Sequence, residues 1–234
     1  MAGDSGSGLF VPEDVPLEKH AGSGAGLELI AATLREGPAG LELYVAVRND
    51  GVMSACDAAM TVEFFDQTDL SLAAWIGGLY SGQLYRASDG SDTTVACLDP
   101  DEVAMGGSTT LPENVTLDAL SYAVYRISYF DRDFLPFEVM PLEGLSVGPI
   151  ESVSGPTGTT FRGALDNGLE EAVDDPTVAV FPVNDVGRPL GMATSSAMVE
   201  IEPGASWMFE TTPVDDPGFK QVVYAGASIA SAGD

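Results

Sequence analysis

Leu41, Leu43, Val45 and Val47 alternate with Glu42, Tyr44, Ala46 and Arg48. A period of two is that of a strand with one face on a core and the other toward solvent. Leu27–Arg35 reads as the strand before it, with Gly37-Pro38-Ala39-Gly40 as the turn between them. Asn49-Asp50-Gly51 supplies residues that tolerate positive φ where the second strand ends. Met60, Val62 and Phe64 form the next alternating set, and Ala123, Tyr125, Ile127 and Tyr129 another. Within Val115–Tyr125, Leu117, Leu120 and Val124 have the spacing of a helical turn, so the strand is read from Tyr122 onward. Further on, Thr177–Val183, Ala197–Ile201, Ser206–Thr211 and Phe219–Ser228 are the strand candidates. Short strands separated by Gly/Pro turns predict an all-β sandwich architecture.

The pattern occurs twice. Gly37-Pro38-Ala39-Gly40 matches Gly155-Pro156-Thr157-Gly158, and Asn49 falls opposite Asn167, both at an offset of 118. Leu98-Asp99-Pro100 then resembles Ile201-Glu202-Pro203 at 103, and Val124-Tyr125 resembles Val223-Tyr224 at 99. The falling offset assigns about 19 extra residues to the first copy, placed mostly around Trp75–Asp92, a stretch rich in Gly and Ser. The expected organisation is a linker over residues 1–24, one sandwich over 25–140 with an insertion near 75–92, and a second over 141–234.

Composition narrows the partners. Nine Lys and Arg face 36 Asp and Glu, for a formal net charge of −27. Such a surface repels phosphate backbones and anionic bilayers, so neither nucleic acid nor membrane insertion is expected. Cationic partners, divalent ions or a saline medium suit it better. No apolar run approaches the roughly 18 residues of a membrane span. Residues 2–8 lack the apolar region of a signal peptide and read as a flexible tether.

Both copies resemble a family of small bacterial extracytoplasmic β-sandwich modules named after an FxLYD motif. Asn49 and Val62-Glu63-Phe64-Phe65-Asp66 carry the likeness in the first copy. In the second, Asn167, Val178-Ala179-Val180-Phe181, Gly187 and Glu202-Pro203-Gly204 carry it. In this alignment Pro182 replaces Asp66, and Asp101 replaces Gly204. The resemblance implies two tandem immunoglobulin-like or FxLYD-like sandwiches on a secreted, periplasmic or lipoprotein-type surface protein. It assigns no chemistry.

Catalytic constellations are scarce. His20 is the one histidine, so a His-based triad or a multi-His metal site cannot be built within the chain. Acids abound, but no pair stands out by spacing as a glycosidase would need. Neither a catalytic nor a metal site is expected. Asp99-Pro100-Asp101, Asp131-Arg132-Asp133, Asp174-Asp175 and Asp215-Asp216 offer the oxygens that calcium prefers, without the EF-hand pattern. No cofactor is expected, and calcium is the one weak candidate. Cys56 and Cys97 lie 41 positions apart, unlike a CxxC motif, and are read as a structural disulfide of an oxidising compartment. Trp75, Tyr80 and Tyr85, assigned to the insertion, are the candidate ligand or partner surface. Together these readings predict a non-enzymatic binding or adhesion module, tethered at its N-terminus, that takes an unidentified protein or glycan. The alternative is a structural subunit of a capsid, filament or surface layer.

Overall fold

A computed structural model describes residues 17–19, 26–37, 40–88, 93–108, 111, 115–215 and 218–229. Among them are strands and two single 3₁₀ turns, with no α-helix. The chain is all-β. In its first half run β1 (Leu17–Lys19), β2 (Leu27–Gly37), β3 (Gly40–Asn49), β4 (Ala55–Phe65) and β5 (Ser71–Gly78). There follow β6 (Gln83–Ala87), β7 (Thr94–Leu98), β8 (Val103–Ser108), β9 (Tyr122–Asp131) and β10 (Val139–Pro141). β2, β3 and β8 make sheet A; the others make sheet B, centred on β4 between β9 and the β5/β7 edge.

The second half holds β11 (Leu145–Val147), β12 (Glu151–Gly155), β13 (Gly158–Asn167) and β14 (Val173–Val183). β15 (Ala193–Ser196), β16 (Glu200–Ile201), β17 (Ser206–Glu210) and β18 (Lys220–Ile229) complete it. β11, β12 and β17 flank β13 in sheet C, while β15, β16 and β18 flank β14 in sheet D. Every pairing is antiparallel except that of β1, which lies parallel to β9. Leu17–Lys19, expected in the linker, are thus part of a sheet; residues 1–16 and 20–25, His20 among them, lie outside the described residues.

The two halves share one register. Leu27 pairs with Asn49 as Leu145 pairs with Asn167, and Val62 with Trp75 as Val180 with Ala193, all at an offset of 118. Ala46 pairs with Met105 as Ala164 pairs with Met208, at 118 on one strand and 103 on the other. Met60 pairs with Ile127 as Val178 pairs with Ala225, which sets the last strand at 98 rather than 99. Even the β-bulges coincide, between Cys56 and Ala59 and between Asp174 and Thr177, with Asp57 and Asp175 at φ of 52° and 50°. Asp tolerates that left-handed backbone better than most residues.

Asn49 and Asn167 show why both copies keep an asparagine. Each is buried at the end of its strand, where its amide donates to two carbonyls: Met53 and Leu98 in one half, Glu171 and Ile201 in the other. Each side-chain oxygen accepts the N–H two residues on, from Gly51 and Leu169. An aspartate cannot donate those bonds, and a leucine would leave buried carbonyls unpaired. At the opposite end, Asp66 corresponds to Asn184 and not to Pro182. The side-chain oxygen of each accepts the N–H groups two and four residues ahead. The Thr68 hydroxyl, with the Leu70 and Thr68 amides, holds the Asp66 carboxyl below its ordinary value.

Each half encloses a core. Leu27, Leu43, Val45, Met60, Phe64 and Ile127 fill the space between sheets A and B. Phe161, Leu165, Val178, Val180, Phe209 and Ile229 fill that between C and D. A third cluster joins the halves: Ala46 and Met105 from the outer face of A meet Ala179, Phe181, Val183 and Tyr224 from the outer face of D. The layers therefore stack B, A, D, C. This corrects the one-sided reading of β3. Glu42, Tyr44 and Ala46, expected at solvent, are buried, because the second half covers that side.

The fragment 141–234 carries a full set of strands and a core, but it would bare Phe181, Val183 and Tyr224. It should give a β-type circular dichroism spectrum, bind a hydrophobic dye and self-associate, and Phe181→Ser should suppress the last two. A fragment that stays unfolded would contradict a self-sufficient second core.

Candidate functional site

β4 and β7 are neighbours in sheet B, and Cys56 stands directly opposite Cys97. Their sulfurs form a disulfide, with both residues buried. The bond is a cross-strand staple inside one sheet, at the foot of the segment that leads from β5 to β7. That segment is the insertion. Gly78 corresponds to Ser196 at 118 and Leu98 to Ile201 at 103, so the first half is 15 residues longer here. Between Leu111 and Ser121 the first half is longer by another 5 residues than between their counterparts Val214 and Phe219.

The three aromatic residues are not an exposed platform. Trp75 lies before the insertion, on β5, where its partner Val62 and the A/B core leave it 8% exposed. Its counterpart is Ala193, also a core residue. Tyr85, on β6, packs against the disulfide with Val95, Leu135 and Val139. Its hydroxyl donates to Asp99 at 3.1 Å, and the Arg132 guanidinium lies over its ring at 4.8 Å. Burial first, then the Asp99 carboxylate, push this phenol above its ordinary value. Tyr80 is half-buried in the third cluster, its ring 5.8 Å from that of Phe181.

The insertion grips the second half. The Leu142 N–H donates to the Leu84 carbonyl at 2.8 Å, and Leu84 packs on the C/D core. Arg86 reaches both carboxylate oxygens of Glu171, at 2.6 and 2.7 Å. The Thr94 hydroxyl donates to the Ala227 carbonyl at 3.1 Å. Away from the insertion, Thr33 donates to Pro189 and Tyr224 to Val103, both at 2.6 Å to backbone carbonyls. What sequence reasoning took for a ligand surface is therefore a clasp between halves, anchored through the disulfide. The sign of it in the sequence was the absence of both the extra length and the cysteines from the second copy.

Two clefts flank the clasp. One, of about 570 Å³, is formed by the Arg132–Val139 segment as it crosses the disulfide region. The other, of about 300 Å³, lies between Arg86, the Met140–Glu143 connection and the Gly168–Glu171 turn. Their mixed walls of charged and apolar groups suit binding a small polar group or peptide side chain. Among the described residues, no group of three or more His, Cys, Asp or Glu is arranged to hold a metal ion. Several of the acids have structural partners or turn positions: Asp99 accepts from Ser54 and Tyr85, and Asp101 takes a left-handed φ of 66° where the second half has Gly204.

No family model matches the chain, and no curated protein does. Among solved structures, the crystal structure of red sea bream transglutaminase is similar at 8% identity and a TM-score of 0.24. The likeness covers 87% of this chain and 29% of that enzyme, so the chain spans under a third of its length. It assigns no activity.

Two outcomes are expected. Replacing both cysteines (Cys56→Ser with Cys97→Ser) should lower unfolding free energy by about 4 kcal/mol, the chain-entropy value for a loop of this length. Denaturant titration measures it, and a change under about 1 kcal/mol would mean the strands alone hold the clasp. Burial foremost, then Glu42 and Glu102 respectively, raise the Tyr44 and Tyr224 phenols. A raised folded value means their contribution is complete below the unfolded value of about 10 and is lost as pH rises beyond it. Tyr44→Phe with Tyr224→Phe should therefore flatten the alkaline fall in stability.

Proposed function

We propose that the chain is a non-enzymatic extracytoplasmic binding or adhesion module, presented as one rigid unit and tethered through its N-terminal segment. The observation that carries this is the buried Cys56–Cys97 disulfide, a bond that persists in oxidising compartments. The absence of any described helix long and apolar enough to cross a membrane is compatible with it, and the FxLYD resemblance points the same way. The charge of −27 favours a basic or neutral protein, or a glycan, over any polyanion. A discrete particle is favoured over an assembling subunit by the outermost faces of the stack. Where sheet D offers Ala179, Phe181 and Tyr224, sheet B offers Thr61, Glu63 and Arg126. Where sheet A offers Tyr44 and Ala46, sheet C offers Arg162, ion-paired to Glu210, and Ala164.

Light scattering after size exclusion should give a single 24.3 kDa species without fibres or lattices by electron microscopy. Glycan and peptide arrays should yield a retained ligand class. Ordered assemblies with blank arrays would favour the structural-subunit alternative, and free thiols in protein taken from its native source would remove the extracytoplasmic assignment.

A further inference from the structure

The halves differ at one sheet edge. In an antiparallel ladder alternate residues turn their N–H and carbonyl away from the partner strand. On β8, Met105 does so, and Tyr80 of the insertion takes both groups, at 2.8 and 3.0 Å. Met208 has the same place on β17. The bonds from Asn167 to Ala205 and from Thr211 to Phe161 set the alternation, so Ser206, Met208 and Glu210 face outward. No described residue meets the backbone groups of Met208. The cause is the short connection. Ala197 still donates to the Pro176 carbonyl as Leu79 does to Ala58, but β16 begins at Glu200, and β15 bonds the outward side of the chain only at Thr212, past the end of β17.

This open edge is not a gap in the core. Phe209 stands where β8 has Gly106, and it is buried in the C/D core, while in the first half Leu79 lies over Gly106. What remains exposed is apolar: Met208 at 73% and, at the position that Tyr80 follows from Leu79, Met198 at 96%. Glu200 is exposed on β16 and Glu202 on the turn that leads to β17, and Glu210, paired with Arg162, ends the strand.

From this edge, which rests on the binding-module reading and names its partner, we infer that β17 docks an extended segment of another protein. The segment runs antiparallel to β17, sets an apolar or aromatic residue opposite Met208 as Tyr80 stands opposite Met105, and carries basic residues on its flanks. Main-chain bonds supply the affinity and the flanking charges the selection. The acidic rim decides against a second copy of this chain as occupant, because two bodies of −27 repel.

The probe is a synthetic peptide with the Gly78–Gly82 sequence between lysine pairs, titrated into the full chain with backbone amide shifts as readout. Shifts should concentrate on Ser206–Glu210. N-methylation of the peptide tyrosine, and Met208→Pro, which removes an outward N–H without touching the β13 ladder, should each weaken binding at least tenfold. Met208→Ala should retain the main-chain bonds and bind within about threefold. Glu200→Lys with Glu202→Lys should weaken binding at low salt and little at high salt. The N-methylated peptide leaves the protein untouched, so the test stands even if Met208→Pro misfolds. Binding that ignores N-methylation, shifts elsewhere, or no binding at all would overturn the docking edge. The binding-module reading would survive those results and fall only with blank arrays.

Discussion

Everything in this molecule hangs on the contact between two unlike faces, the outer side of sheet A and the outer side of sheet D. Because of it β3 and β14 are covered on both sides, which is unusual for strands in antiparallel sheets. Phe181 and Tyr224 are its largest buried members, and a buried side chain of that size contributes on the order of 1.5–3 kcal/mol. The contact turns two thin sandwiches into four layers. It also decides which residues remain available to anything outside the chain.

The longer strands were legible, and so was the repeat, because period-two alternation and the Asn49/Asn167 turns are local; β5 to β8 were not, and the expected strand Ala197–Ile201 is only Glu200–Ile201. What covers a strand is not local. Glu42, Tyr44 and Ala46 have the look of a solvent face, and their counterparts Thr160, Arg162 and Ala164 keep one among the described residues, exposed at Arg162 and half-buried at the other two. Only a position-by-position comparison of the copies, with Arg162 where Tyr44 stands, hints that one face is covered and the other is not. The candidate site was misread for a related reason. Opening the alignment gap at Trp75 in place of Leu79 moved a core tryptophan into the insertion, and Gly/Ser richness made a clasp resemble a loop. The Cys56–Cys97 pairing was legible, though its position across two adjacent strands was not.

The clasp explains why one copy is longer. A contact between two halves of the same strongly acidic chain works against long-range repulsion. Arg86 at Glu171 brings one of the nine Lys or Arg residues to that boundary, and the disulfide keeps the β6–β7 hairpin from peeling away with it.

The pairing of unlike faces gives the tandem a direction. Two identical faces would close on each other and leave the halves interchangeable, whereas here one kind of face receives and the other is received. Reversing the order of the halves in the gene would press Glu63 and Arg126 against Arg162 and Glu210, in place of the contact that Phe181 and Tyr224 make with Ala46 and Met105. The order of the two halves is thus written into the faces they present to each other.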